Sequence, residues 1–166
     1  EALWSLLEKG GQGVLMRHAV TTPGVGDPPG FRLDDCSTQR NLTDAGRQDA
    51  RRVGAAFRAR NIVVESVYSS PWCRCIETAT LAFGAADVSD GLSNLYGRPE
   101  NQAAQLRAMR RLIGEFRGSG NLILVSHGST IAALTGVAPG TSELVVVTPR
   151  AGGELIVAGR LFAHSN

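Results

Sequence analysis

Three short apolar runs constrain this chain most: GVLMRH at residues 13–18, VESVYSS at 64–70 and NLILVSH at 121–127. Each has the length of a strand and ends in residues able to do chemistry. Between them the spacing turns helical. Thr43 is placed to cap a helix running to about Arg60, with Ala50, Val53 and Phe57 as its buried stripe. Ser70–Pro71 supplies a cap and a proline for a first helical position, which predicts a helix to about Phe83. Residues 100–117 read as a further helix, with Leu106, Met109, Ile113 and Phe116 on one face, and 128–136 as a short one. A leading helix over residues 3–9 ends at Gly10–Gly11. ELVVVTP (143–149) and ELIVAGRLF (154–162) read as two last strands, paired through the turn at Arg150–Gly153.

Strands alternating with helices predict an α/β three-layer sandwich, with a largely parallel central sheet flanked by helices. No repeat, low-complexity tract or linker divides the chain, so residues 1–166 read as a single domain. In open α/β sheets ligands bind outside the carboxyl ends of the strands. That rule places Arg17–His18, Ser69–Ser70 and Ser126–His127 on one rim, with Arg74 about one turn into the helix that follows the second strand. The Gly/Pro-rich segment TTPGVGDPPG (21–30) continues to about Arg40 without regular pattern, a loop length that is usually functional.

Composition narrows the class of function. A net charge of +2 is too small to point to nucleic acid, and the apolar runs are far shorter than a membrane span. Sixteen arginines stand against the single lysine Lys9, and arginine is the residue suited to bidentate phosphate binding. The chain opens at Glu1 without methionine, which reads as a processed or trimmed form; residues 1–9 lack the basic start and apolar run of a signal peptide. Cys36, Cys73 and Cys75 have no zinc-site spacing, and no metal or other cofactor is expected. They read either as buried thiols or as a Cys36–Cys73 disulfide with Cys75 free, the second implying an oxidising compartment.

The chain has three histidines, and two of them, His18 and His127, end strands; His164 reads as an ordinary residue near the C-terminus. Arg17, Arg74, His127 and the backbone N–H groups opening the helix at Gly128 surround His18 with positive potential. A phosphoryl group carries close to two negative charges and suits such a cage. The same charges disfavour the imidazolium of His18, leaving a neutral nitrogen able to attack phosphorus. Arginines then supply the electrostatic stabilisation that a magnesium ion supplies elsewhere.

Three segments, LMRHA (15–19), SSPWCRCIETA (69–79) and LVSHGSTIAALTG (124–136), resemble the histidine phosphatase superfamily, as does NLTDAGRQDA (41–50). The resemblance implies a phosphoglycerate-mutase-like fold, with His18 as the phosphorylated nucleophile and Arg17, Arg74 and His127 completing the phosphate pocket. It gives Glu77 a supporting structural role. Ala19 stands where the family carries glycine, and TTPG follows in place of the usual serine and asparagine, with Thr21 or Thr22 as substitutes that touch substrate. The mutase-like branch carries a glutamate acid, for which this chain offers only Glu100. The acid-phosphatase branch has an aspartate after the second histidine, where this chain has Gly128.

Asp27, Asp34 and Asp35 in the long loop are the other acids on offer. An enzyme lacking a strong acid favours leaving groups that need little help. The expected partner is therefore a small phosphorylated substrate or a phosphohistidine protein. DDCSTQRNLTDAG (34–46) is also similar to a bacterial subgroup often exported to the periplasm, which includes heptose phosphatases; there Arg40 touches substrate. Periplasmic or exported location is the resulting expectation, with the cytoplasm as alternative. Two rival functions remain: a phosphoglycerate mutase, and a silent module that binds phosphorylated ligands. A nucleotide-binding domain is excluded, because no glycine-rich loop of the right form follows the first strand.

Overall fold

The computed structural model describes residues 1–165. Its six strands are β1 (Gly13–Arg17), β2 (Val64–Ser69), β3 (Asp87–Val88), β4 (Asn121–Ser126), β5 (Leu144–Pro149) and β6 (Leu155–Leu161). They form one sheet in the order β3-β2-β4-β1-β5-β6. The first four in that order run parallel, while β5 and β6 are antiparallel, paired through the turn the sequence predicts. The two residues of β3 fall in a stretch that reads as irregular, being too short to show any period.

Alternation along the strands builds two cores. Val14 and Met16 of β1, Ile123 and Val125 of β4, and Leu144 and Val146 of β5 face one side. There they meet helices α1 (Ala2–Lys9), α2 (Asp44–Ala59) and α3 (Cys73–Phe83) through Leu7, Val53, Phe57 and Ala79. Leu15, Leu122, Leu124, Val145 and Val147 face the other side, against α4 (Gln102–Glu115) and α5 (Gly128–Thr135) through Met109, Ile113 and Ile131. A sheet buried on both faces explains why β4 is apolar along its length rather than alternating. Each apolar side chain so buried contributes about 1.5–3 kcal/mol.

The helices begin and end where side-chain chemistry dictates. Thr43 caps α2 by accepting a hydrogen bond from the Gly46 N–H at 3.0 Å. α5 stops at Gly136 in the left-handed conformation, φ 77°. α4 starts at Gln102 after a short 3₁₀ turn over Pro99–Asn101, two residues later than its spacing predicts. The start of α3 departs further: the helix opens at Cys73, with Trp72 at the cap position, and not at Ser70–Pro71. The hydroxyl of Ser70 accepts from the Trp72 N–H at 3.2 Å and lies 2.8 Å from a ring nitrogen of His127. Its capping capacity is spent in a turn ahead of the helix.

Cys36 and Cys73 form a disulfide, and Cys75 is a buried free thiol. The bond fastens the long loop to the first residue of α3. Gln39 reinforces it, its side-chain carbonyl accepting from the Cys73 N–H at 3.0 Å.

Candidate active site

Register brings the two strand-end histidines together. β1 and β4 run parallel with Arg17 opposite Ser126, so His18 and His127 leave the sheet side by side. Their rings stand edge to face with centroids 5.7 Å apart. The backbone holds this rim: His18 N–H donates to the Ser126 carbonyl at 3.1 Å, and Ser70 N–H to the Val125 carbonyl at 2.9 Å. A cavity of about 720 Å³ opens above, lined by Arg17, His18, Arg40, Arg74, His127 and Gly128, among others.

His18 is 2% exposed, and its Nδ1 lies 2.9 Å from the Ala19 carbonyl oxygen. A carbonyl can only accept, so Nδ1 carries the proton and Nε2 keeps a free lone pair. Burial, which penalises the charged ring, pulls the His18 pKa down to about 3; Arg74, Arg17 and Arg40 add to that against the opposing Ala19 hydrogen bond. Burial also holds His127 well below the usual histidine range, with the neighbouring positive groups adding to it. Both rings are therefore neutral near pH 7. Cys75, whose sulfur lies 3.6 Å from His127 Nε2, is pushed up by burial to about 12 and stays a thiol.

The cations are buried with polar groups left over. Arg17 Nε, Arg40 Nε, Arg74 Nε and His127 Nδ1 are each shut off from solvent and have no hydrogen-bond partner within the chain. All four residues line the same cavity. Buried polar groups are almost always satisfied, and four convergent orphans mark a place built for an acceptor from outside. Arg17 is held from behind, Nη1 donating to the Pro139 carbonyl at 3.0 Å. Gly128 keeps its surroundings open: a Cβ there would stand 3.3 Å from Arg17 Nε.

The family model described as the histidine phosphatase superfamily (branch 1) matches residues 14–95, which carry Arg17, His18, Arg40 and Arg74. This chain belongs to the histidine phosphatase superfamily. His127 lies beyond the matched span and joins the other residues through the register of β4 with β1.

Solved structures agree on the fold of this chain. The protein histidine phosphatase SixA complexed with tungstate superposes with a TM-score of 0.65 at 17% identity, over 93% of this chain and 98% of that one. A phosphoserine phosphatase from Entamoeba histolytica, in complex with 3-phosphoglyceric acid, gives 0.65 at 16% identity, over 90% and 95%. A mycobacterial glucosyl-3-phosphoglycerate phosphatase complexed with VO3 gives 0.62 at 17%, over 82% and 92%. No curated protein matches the sequence.

Other residues singled out by sequence lie elsewhere. Thr22 is exposed and does not line the cavity, because the backbone of Thr21 turns inward to pair with Leu42. Asp35 caps the 3₁₀ turn Cys36–Thr38 and bonds Ser37 and Arg32, while Asp34 pairs with Arg32 in solvent. Glu100 is exposed in the turn before α4. None of these three carboxylates lines the pocket, so none is placed to act as its acid. Glu77 bonds Arg47 at 2.8 Å and so joins α3 to α2. Among the described residues, no group of three His, Cys, Asp or Glu side chains is arranged to hold a metal ion.

Sequence reasoning missed Trp72, Asn94, Tyr96 and Arg98. The ring of Trp72 stacks edge-on against His127 at 5.2 Å, and Arg98 lies 5.3 Å above that ring. Asn94, Tyr96 and Arg98 form the outer wall of the cavity from a segment with no periodic signal. For Trp72 the adjacency to Ser70 and Arg74 in SSPWCR was the available clue.

Proposed function

We propose that this protein is a phosphatase that transfers a phosphoryl group from its substrate to Nε2 of His18 and then to water. The observation that carries the reading is the free lone pair on Nε2, fixed by the Ala19 carbonyl, among the partnerless Nε atoms of Arg17, Arg40 and Arg74 and Nδ1 of His127. Arg17, Arg40 and Arg74 would bind the non-bridging oxygens, each charge-assisted hydrogen bond contributing about 1.5–3 kcal/mol. As Nε2 bonds to phosphorus, the bond to the leaving group breaks and the electron pair departs with it. Water then attacks the phosphohistidine, releasing phosphate and restoring the neutral ring. Positive charge from arginine supports a reaction that needs no metal.

Among the described residues, Asp27 is the one carboxylate lining the cavity, and it is ion-paired with Arg74 at 2.9 Å. Burial raises its pKa, but hydrogen bonds from the Arg40 N–H, Arg74 and Trp72 outweigh that and hold it below the ordinary range. It has no proton to give near neutrality. The reading therefore favours phosphoramidates or phosphomonoesters with weakly basic leaving groups. The Cys36–Cys73 disulfide supports an exported location, since such bonds persist in oxidising compartments. Cell fractionation tests that part.

The direct test of function is p-nitrophenyl phosphate hydrolysis with chelator present, comparing the intact protein with His18→Ala. Turnover that survives chelation and disappears in the variant supports the reading. Phosphate binding without turnover in the folded protein would replace it with a silent binding module.

A further inference from the structure

Asp27 sits in the Gly/Pro-rich loop, yet its side chain is only 11% exposed. Three donors from two other segments converge on it. Oδ1 accepts from Arg74 Nη1 at 2.9 Å and from the Arg40 backbone N–H at 2.9 Å, and Oδ2 accepts from Trp72 Nε1 at 3.1 Å. The carboxylate thus joins the loop, the approach to α2 and the approach to α3. A solvated loop aspartate makes no such set of contacts.

The consequence falls on Arg74. A guanidinium is planar, and its five donors point in fixed directions. Nη1 is taken by Asp27 and, at 3.4 Å, by the Arg40 carbonyl. Holding that corner fixes the plane and leaves the opposite edge, Nε with Nη2, as the free bidentate face. Nε of Arg74 is buried and has no partner within the chain.

We infer that Asp27 is a positioning residue, which clamps Nη1 of Arg74 so that the Nε/Nη2 edge meets two oxygens of the transferring phosphoryl group. The inference rests on the phosphatase reading for the identity of the ligand. Asp27 also leaves the three pocket arginines with a net charge close to that needed to balance a dianion. Its depressed pKa agrees with permanent ionisation. A positioning role and a general-acid role differ in what they predict. An acid matters most when the leaving group is basic, whereas a clamp on the phosphoryl oxygens matters equally for every leaving group.

The experiment compares wild type, Asp27→Asn and Asp27→Ala. Inorganic phosphate is titrated calorimetrically, and kcat/KM is measured for p-nitrophenyl phosphate and for an alkyl phosphate. Asp27→Ala is expected to weaken phosphate binding about ten- to a hundredfold, the loss of one charge-assisted bond, and to lower kcat/KM by similar factors for both substrates. Asp27→Asn keeps a carbonyl acceptor for Arg74 and should fall between the two. Unchanged phosphate affinity in both variants overturns the inference, as does a loss confined to the alkyl phosphate. Should Asp27→Ala fail to fold, the phosphate titration of Asp27→Asn decides. A wild-type protein that binds phosphate without turnover would defeat the phosphatase reading alone, and the titration would still test the clamp.

Discussion

His18 and His127 stand side by side, but different neighbours define them. His18 is fixed by a backbone carbonyl, and His127 by the hydroxyl of Ser70, 2.8 Å from Nε2. The Ser70 oxygen already accepts from the Trp72 N–H, so its own proton is free to point at His127 Nε2. That arrangement leaves the proton of His127 on Nδ1, the unpartnered atom in the pocket. Ser70→Ala should therefore weaken inorganic phosphate binding by about fivefold, or roughly 1 kcal/mol, while His18 stays intact. ¹⁵N NMR of the imidazoles would show His127 shifting toward a mixture of tautomers; an unchanged spectrum and affinity would remove Ser70 from the site. Both histidines also make the fold acid-sensitive. Their folded pKa values lie below the unfolded value of about 6.5, so the unfolded chain binds protons that the native one refuses as pH falls. His18 alone should lower stability by about 1 kcal/mol between pH 6 and 5, with His127 acting in the same direction, and the loss from His18 should continue to about pH 3. Urea unfolding at each pH measures this, and His18→Gln should make the dependence on pH shallower. At this scale Arg17, His18, Arg74, His127 and Arg40 were legible, because each stands at a strand end or next to a short motif. Asp27 was one of three loop aspartates with nothing in the sequence to rank them. Only the folded loop sets it apart from Asp34 and Asp35.

Among the elements, α3 carries Arg74 into the site, and it packs closely against α2. A Cβ on Gly54 of α2 would run into the backbone carbonyl of Ala82 in α3. Gly54→Ala should cost about 1–3 kcal/mol by forcing the helices apart, although alanine is the better helix former. Thermal unfolding checks this, and a stabilised variant would show that the pair has slack. The long loop depends on α3 as well, through the Cys36–Cys73 disulfide. In the chain-entropy view, a bridge across a sequence separation of 37 stabilises by about 3–4 kcal/mol. Reduction should thus lower Tm by roughly 6–16 °C. It should also raise KM more than it lowers kcat, because Asp27 and Arg40 belong to that loop while His18 directly follows β1. Equal Tm and KM in oxidised and reduced protein would contradict this. Strands and helices were readable from period and caps, and their errors have local causes. Ser70–Pro71 carries a helix-start signal, but the turn that serves His127 consumes it. β3 has two residues, too few for any pattern, and pairs only because β2 is beside it.

Across the whole molecule, parallel strands β2, β4 and β1 end on one rim, while antiparallel β5 and β6 close the other side of the sheet. The sequence supports the parallel part directly, since strand–helix alternation admits few other arrangements. Which strands are neighbours is not written in the chain: β1 and β4 are separated by more than a hundred residues, yet their register makes the site. The orphan donors follow from that long-range pairing, which is why the cage had to be seen folded to be counted. The central claim is chemical, that Nε2 of His18 becomes phosphorylated during turnover. Rapid quench of the protein with substrate, followed by mass spectrometry under alkaline conditions, tests it most directly. An acid-labile, alkali-stable phosphoryl group is expected on His18, forming and decaying at rates consistent with kcat and missing from His18→Ala. Turnover with no phosphoprotein under these conditions, or with the label on another residue, would contradict it.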